Sequence, residues 1–140
     1  MGRLGPETVM KLLLDTHIWV WAVIEPRKLS RSVTRQLENP NNEFYLSPVS
    51  IWEASLIERR GRWRANKGFR DWLATALTHL SIREAPFNFE VAQEAAGIQL
   101  PEPDPGDVFI AATARVFDLT LVTADPQLLA CSWLKTLAND

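Results

Sequence analysis

Apolar positions along the chain fall into short continuous runs separated by longer stretches of helical spacing. Met10 to Leu14 is an apolar run broken by one lysine, the pattern of a buried strand, and Thr16 to Ile24 follows as a helix closed by Glu25-Pro26. Ser30 is placed to cap a second helix through Glu38, the Asn-Pro-Asn-Asn turn at 39–42 ends it, and Glu43 to Leu46 reads as the next strand. Ser47-Pro48 sets a capping residue before a proline at the first helical position, which starts a helix from Val49 to about Arg60 with Gly61 as its stop. Phe69, Trp72, Leu73, Ala76 and Leu77 share a helical face within 68–80, Ser81 to Glu84 reads as a short strand, and Asn88 as the cap of a helix to Ala96. The rigid loop 101–107 leads into a helix from Val108 to Phe117 that is apolar nearly all round and therefore expected to be buried. Leu119 to Thr123 is a strand, Asp125-Pro126 starts a short helix, and Trp133 to Leu137 reads as a last strand. Strands alternating with helices predict an α/β fold, a three-layer α/β/α sandwich around a mainly parallel central sheet.

The 140 residues suit one folded unit, expected over 10–140, with the unpatterned residues 1–9 as an extension outside it. A hydrophobic share of 46% against 23% charged excludes disorder as the main state. The formal charge of −2 gives no global attraction to nucleic acid or anionic lipid, so binding of either needs a local patch. The single cysteine, Cys131, has no internal partner and reads as a small apolar residue, which suits a reducing cytoplasm. Lys11 and Asp15 interrupt the N-terminal apolar run well short of the roughly 20 residues a membrane span needs, so neither a signal nor an anchor is expected.

In open α/β sheets ligands sit beyond the carboxyl ends of the strands, and three acids fall there: Asp15 after the first strand, Asp125 after the strand at 119–123, and Asp107 at the start of the buried helix. Glu53 joins them because Val49, Trp52, Leu56 and Ile57 place it on an apolar helix face. Each has a structural alternative. Asp15 and Asp125 stand where helix caps belong, Asp104 with Asp107 has the spacing of a capping box, and Glu53 needs only a partner arginine. Two carboxylates about 4 Å apart repel by roughly 4 kcal/mol at an effective dielectric near 20. A cluster of them therefore calls for a cation. No Lys or Arg adjoins Asp15, Asp107 or Asp125 in sequence, and an all-oxygen donor set suits Mg²⁺ or Mn²⁺, whereas zinc would want His or Cys. His17 and His79 lack a second ligand nearby. A phosphohydrolase of the haloacid dehalogenase type, acting on small phosphoesters, needs an acid two residues past its nucleophilic Asp, where this chain has His17. A non-catalytic receiver-like or partner-binding module is the other alternative.

The segments LLLDTHIWVW, SPVSIWEASL, DPGDVFIAATA and LTLVTADPQL resemble, in this order and spacing, the acidic motifs of PIN-domain ribonucleases, especially the VapC-type toxins of toxin–antitoxin pairs. The resemblance covers about Met10 to the C-terminus. It implies a PIN-like fold, metal-dependent endonucleolytic cleavage of RNA with Mg²⁺ or Mn²⁺, and inhibition by a cognate VapB-type antitoxin. It further implies that Asp15, Glu53, Asp107 and Asp125 bind metal, with Asp104 matching an additional acid of one branch. That branch carries a His and an Arg where this chain has Glu102 and Val108. Thr16 and Thr123, beside two of the acids, are placed to hydrogen-bond a carboxylate or a metal-bound water. A homodimer is expected from the resemblance, with tryptophans such as Trp21 or Trp63 available at partner contacts.

Between Glu58 and Asp71 stand Arg59, Arg60, Arg62, Arg64, Lys67 and Arg70 against two acids, just after the Glu53 helix. This segment is either an ordinary solvated surface or a phosphate-binding patch, with Trp63 to stack on a base.

Overall fold

A computed structural model describes residues 9–61, 65, 68–102 and 104–140. Residues 1–8 of the expected extension and the candidate RNA contacts Arg62, Trp63, Arg64 and Lys67 lie outside these residues. Five strands form one parallel sheet: β1 (Lys11–Leu14), β2 (Glu43–Leu46), β3 (Arg83–Glu84), β4 (Thr120–Thr123) and β5 (Thr136–Ala138), in the order β3-β2-β1-β4-β5. The helices are α1 (Thr16–Ile24), α2 (Arg31–Leu37), α3 (Pro48–Arg59), α4 (Phe69–His79), α5 (Phe89–Ala96), α6 (Pro105–Val116) and α7 (Pro126–Leu129), with a 3₁₀ turn at Pro26–Lys28.

Strand alternation builds the layers. Leu12 and Leu14 of β1 point to one face and pack with Ile18, Trp19, Val33, Phe44, Ala54 and Ala76, which belong to α1 to α4 and β2. Leu13 between them points to the other face and packs with Ile110, Ala111, Ala114, Leu121 and Leu128 from α6, β4 and α7. All three leucines are fully buried, which is why the strand is continuously apolar rather than alternating. The near all-round apolar character of α6 has the same cause: it is covered by the sheet on one side and by Val91 and Ala95 of α5 on another.

The caps follow the sequence signals. Ser30 Oγ accepts from the Val33 N–H, Ser47 Oγ from Val49 and Asn88 Oδ1 from Val91, fixing the starts of α2, α3 and α5. Gly61 ends α3 with φ +78°. Three expectations need correction. The helix expected from Val108 starts at Pro105, because Asp104 caps it and Pro105 fills its first position. The last strand is displaced toward the C-terminus, to Thr136–Ala138, since Trp133 lies on the surface before it. Trp52, assigned with its neighbours to a buried face, is 62% exposed. Cys131 is half-buried against the α6 side of the core.

Among the described residues no helix is long and apolar enough to cross a membrane.

Candidate active site

From β1 the chain steps to β2 on one side and later to β4 on the other, so the gap beyond the carboxyl ends of β1 and β4 is the topological switch point of the sheet. Leu14 pairs in register with Val122, which brings the residues after them, Asp15 and Thr123, side by side. The Thr123 hydroxyl donates to Asp15 Oδ2 at 2.7 Å and accepts from the Asp125 N–H at 3.0 Å. Asp15 Oδ1 accepts from the Thr16 N–H at 2.8 Å as the cap of α1. Thr16 sends its own side chain the other way: Oγ1 lies 2.9 Å from Ser50 Oγ and 2.5 Å from Glu53 Oε1 on α3. Two threonine hydroxyls, both essentially inaccessible to solvent, thus hold the acids of three elements to one another.

The remaining acids arrive with the starts of α6 and α7. Asp104 Oδ1 accepts from Gly106 N–H and Asp125 Oδ1 from Gln127 N–H, each at 2.9 Å. In the first turn of α6, Asp107 faces Asp125 closely enough to share a hydrogen bond between carboxyl groups. Gly106 makes room for Glu53. A Cβ at 106 would collide with Glu53 Oε2, so only a residue without a side chain lets that carboxylate reach the first turn of α6. Sequence reasoning missed this role, which arises from the approach of two helices far apart in sequence.

Asp15, Glu53, Asp104, Asp107 and Asp125 all line one cleft of about 760 Å³, together with Thr16, His17, Trp21, Trp52 and Arg60. Asp15, Asp104 and Asp125 do cap helices, though Asp104 accepts from Gly106 N–H and forms no reciprocal capping box with Asp107 among the described residues, and these caps do not compete with a site. A cap uses one carboxylate oxygen of two, and the positive ends of α1 and α6 lower the cost of gathering acids there. The arginine alternative for Glu53 is not realised: among the described residues, the ion pairs formed by Lys and Arg involve none of the five acids.

The missing counter-charge shows in protonation. Burial pushes Asp15 up from its ordinary value, with Asp125 adding to it and the bonds from Thr123 and Thr16 and the nearby His17 opposing it. Burial likewise raises Glu53, partly offset by Thr16. Asp107 is pushed up to about 8, first by burial and then by sharing a proton with Asp125 and by the charges of Asp104 and Asp15. Carboxyls pushed upward by burial and by neighbouring acids are relieved by a divalent cation when one is supplied.

Among the described residues no three His, Cys, Asp or Glu side chains form a ready-made cage. The donor chemistry still suits a hard divalent ion, because Mg²⁺ keeps several waters and needs only one or two carboxylates directly. Asp107 and Asp125 are placed to provide those two, with Asp15, Glu53 and Asp104 around them.

Of the basic residues expected to meet a polyanion, Arg60 at the end of α3 lines the cleft, whereas Arg59 and Arg70 are exposed and outside its lining. His17 is exposed at the rim, its ring 5.7 Å from that of Trp21, which in turn carries Lys28 at 5.5 Å.

An all-parallel sheet flanked by helices, with acids gathered at its switch point, defines an α/β fold whose candidate ligand site lies beyond the carboxyl ends of β1 and β4. The PIN domain family model matches residues 12–133, and the chain belongs to that family. PIN-domain ribonucleases generally depend on a divalent metal ion. Ribonuclease VapC22 of Mycobacterium tuberculosis is 29% identical over 118 residues, covering 84% of this chain and 88% of the relative. The solved structure of VapBC2 from Rickettsia felis, bound to a DNA fragment from their promoter, superposes with a TM-score of 0.69 at 19% identity, covering 94% of this chain and 100% of that one. FitAcB from Neisseria gonorrhoeae gives 0.60 at 22% identity, covering 91% and 97%.

Proposed function

We propose that this chain is a metal-dependent endoribonuclease, the toxin of a type II toxin–antitoxin pair. The observation that carries the reading is the convergence of five carboxylates on one cleft with no Lys or Arg ion pair among the described residues. Family membership and the likeness to a curated ribonuclease support it.

Asp15, Glu53, Asp107 and Asp125 would hold Mg²⁺ or Mn²⁺, with Asp104 beside them. A bound ion of this kind lowers the pKa of water and neutralises charge on a phosphate and its leaving oxygen. The chain supplies the rest. Thr123 fixes Asp15 and the Asp125 backbone in one arrangement, and Thr16 orients Glu53, so the carboxylates are set before substrate arrives. Arg60, on the same cleft, is placed to meet a backbone phosphate, and with Arg59, Arg62, Arg64, Lys67 and Arg70 offers a local positive field to a polyanion on a chain of net charge −2. No covalent nucleophile is needed.

Residues 10–140 act as one nuclease unit, with 1–9 outside it. The partners are an RNA substrate, a cognate VapB-type antitoxin that silences the cleft and a second copy in a homodimer; the site of action is the cytoplasm. The test is cleavage-site mapping on total RNA with Mg²⁺, Mn²⁺ and chelator side by side. Discrete cuts that require either metal support the proposal, and an absence of cuts in all three sinks it.

A further inference from the structure

The two carboxyl groups that face each other at the cleft, Asp107 and Asp125, stand on separate segments, the first turn of α6 and the start of α7. α7 has four residues, and a single helical turn has almost no stability of its own. Its place depends on what its residues reach. Leu128 anchors it on one side, fully buried in the core with Ile110 and Leu121. Gln127 makes a second attachment. Its backbone N–H donates to Asp125 Oδ1 at 2.9 Å, while its side-chain oxygen Oε1 accepts from the Glu102 N–H at 2.6 Å, across 25 positions of sequence. Because the donor is a backbone N–H, the amide atom facing it is the oxygen. Pro101 and Pro103 have no N–H, so Glu102 carries the one backbone donor of that stretch, and Gln127 takes it. Two residues further on, Asp104 caps α6, and Asp107 follows within the first turn. Gln127 itself is outside the lining of the cleft.

We propose that Gln127 is a positioning residue for the divalent ion: by fastening α7 to the segment that leads into α6, it sets the spacing of Asp107 and Asp125 from outside the cleft. This rests on the metal-dependent reading above. Mg²⁺ tolerates little departure from its preferred ligand distances, so two carboxylates on independent segments serve it only if something holds those segments in register. The acids cannot do this themselves, since as carboxylates they repel. The sequence also puts a proline on each side of Glu102, and a chain restricted in this way passes a fastening at 102 on to Asp104 instead of absorbing it.

The experiment titrates Mn²⁺ by calorimetry into the wild type, Gln127→Met, which keeps the length of the side chain without the acceptor, and Gln127→Glu, which keeps an acceptor oxygen. All of them retain the backbone N–H that bonds to Asp125. The Kd for Mn²⁺ is expected to weaken about tenfold in Gln127→Met, the scale on which groups behind metal ligands act, and to stay within about threefold of the wild type in Gln127→Glu. Thermal midpoints in chelator stay near the wild-type value. RNA cleavage by Gln127→Met is low at limiting Mn²⁺ and returns to the wild-type kcat as Mn²⁺ is raised, with KM for RNA unchanged, which a merely structural loss would not do. The proposal is overturned if Gln127→Met binds Mn²⁺ as the wild type does, or if Gln127→Glu is weakened as much as Gln127→Met. It is also overturned if Gln127→Met melts at lower temperature in chelator and its cleavage does not return with added Mn²⁺. Absence of Mn²⁺ binding by the wild type would remove the metal reading and this inference with it, whereas equal binding by the wild type and Gln127→Met removes this inference alone.

Discussion

Carboxylates on the outer surface and carboxylates at the sheet edge are treated in opposite ways by the same chain. Glu25 faces Arg27 and Lys28, Glu43 meets Tyr45 and Arg83, and Asp118 meets Lys135, and in each case these partners hold the carboxyl below its usual value. Asp15, Glu53 and Asp107 are shifted upward, because burial and one another's charge act on them without a Lys or Arg ion pair among the described residues. Fifteen Lys and Arg residues are available to a protein of 140, so the acids at the cleft are not left unpaired by shortage. The cleft keeps its carboxyl groups clear of Lys and Arg ion pairs among the described residues, and that leaves their oxygens available to a cation.

The strongest way to break this contrast is to neutralise one acid. Asp15→Asn or Asp107→Asn is expected to lower RNA cleavage by at least about a thousandfold, since losing a metal ligand removes several kcal/mol of transition-state stabilisation. Growth inhibition should vanish with it, while the fold survives because Asn at 15 caps α1 as well as Asp does and Asn at 107 removes a buried carboxyl that caps no helix. Both variants unfolding would instead give these acids a structural role. Next comes Gly106→Ala, which places a methyl group where the Glu53 carboxylate lies. A displacement of about 1 Å in a catalytic group costs about a hundredfold, so activity falls that far while circular dichroism stays unchanged.

Acidity separates the two sets of carboxylates more gently. Asp107 has a folded value of about 8 against an ordinary 3.8, so in metal-free protein the folded state keeps a proton that the unfolded chain releases. Its contribution is therefore neutral below the unfolded value, and becomes a growing cost as pH rises toward 8. Glu25, Glu43 and Asp118 have the opposite sign: their contribution is present above the unfolded value and is lost as pH falls through the folded one. In a chelator, Asp107→Asn should raise the thermal midpoint at pH 8 by about 3 °C, with the gain disappearing near pH 4. A gain that is independent of pH would refute this assignment. The smallest effect is expected at the surface. Lys135→Met, which breaks the pair with Asp118, should leave cleavage unchanged and move the midpoint by about 1 °C or less.

Much of the frame could be read from the sequence because local chemistry and tertiary position agree. Ser47-Pro48 and Asn88 mark helix starts whose side chains do cap, and the buried run before Asp15 could only be an inner strand. Asp15, Asp107 and Asp125 stand out by their places after a strand or at a helix start, and Glu53 by its apolar helix face. Other features depend on contacts that a linear pattern does not encode. The start of α6 was hidden because Pro101, Pro103 and Pro105 look alike in sequence, and only Asp104's hydrogen bond to Gly106 shows which proline opens the helix. Trp52 shares the spacing of its apolar neighbours, yet nothing covers it among the described residues of this chain. Gly106 and Arg60 take their meaning from Glu53 and the cleft, which exist only once α3 and α6 meet.

The direct measurement is a calorimetric titration of Mn²⁺ into the wild type and into Asp107→Asn near pH 7.5, with thermal midpoints recorded at each end point. Saturable binding to the wild type that releases protons and raises its midpoint by linkage, and that is lost in the variant, is the expected result. Equal binding by both proteins, or none by either, would contradict the claim that these acids are gathered to hold a divalent ion.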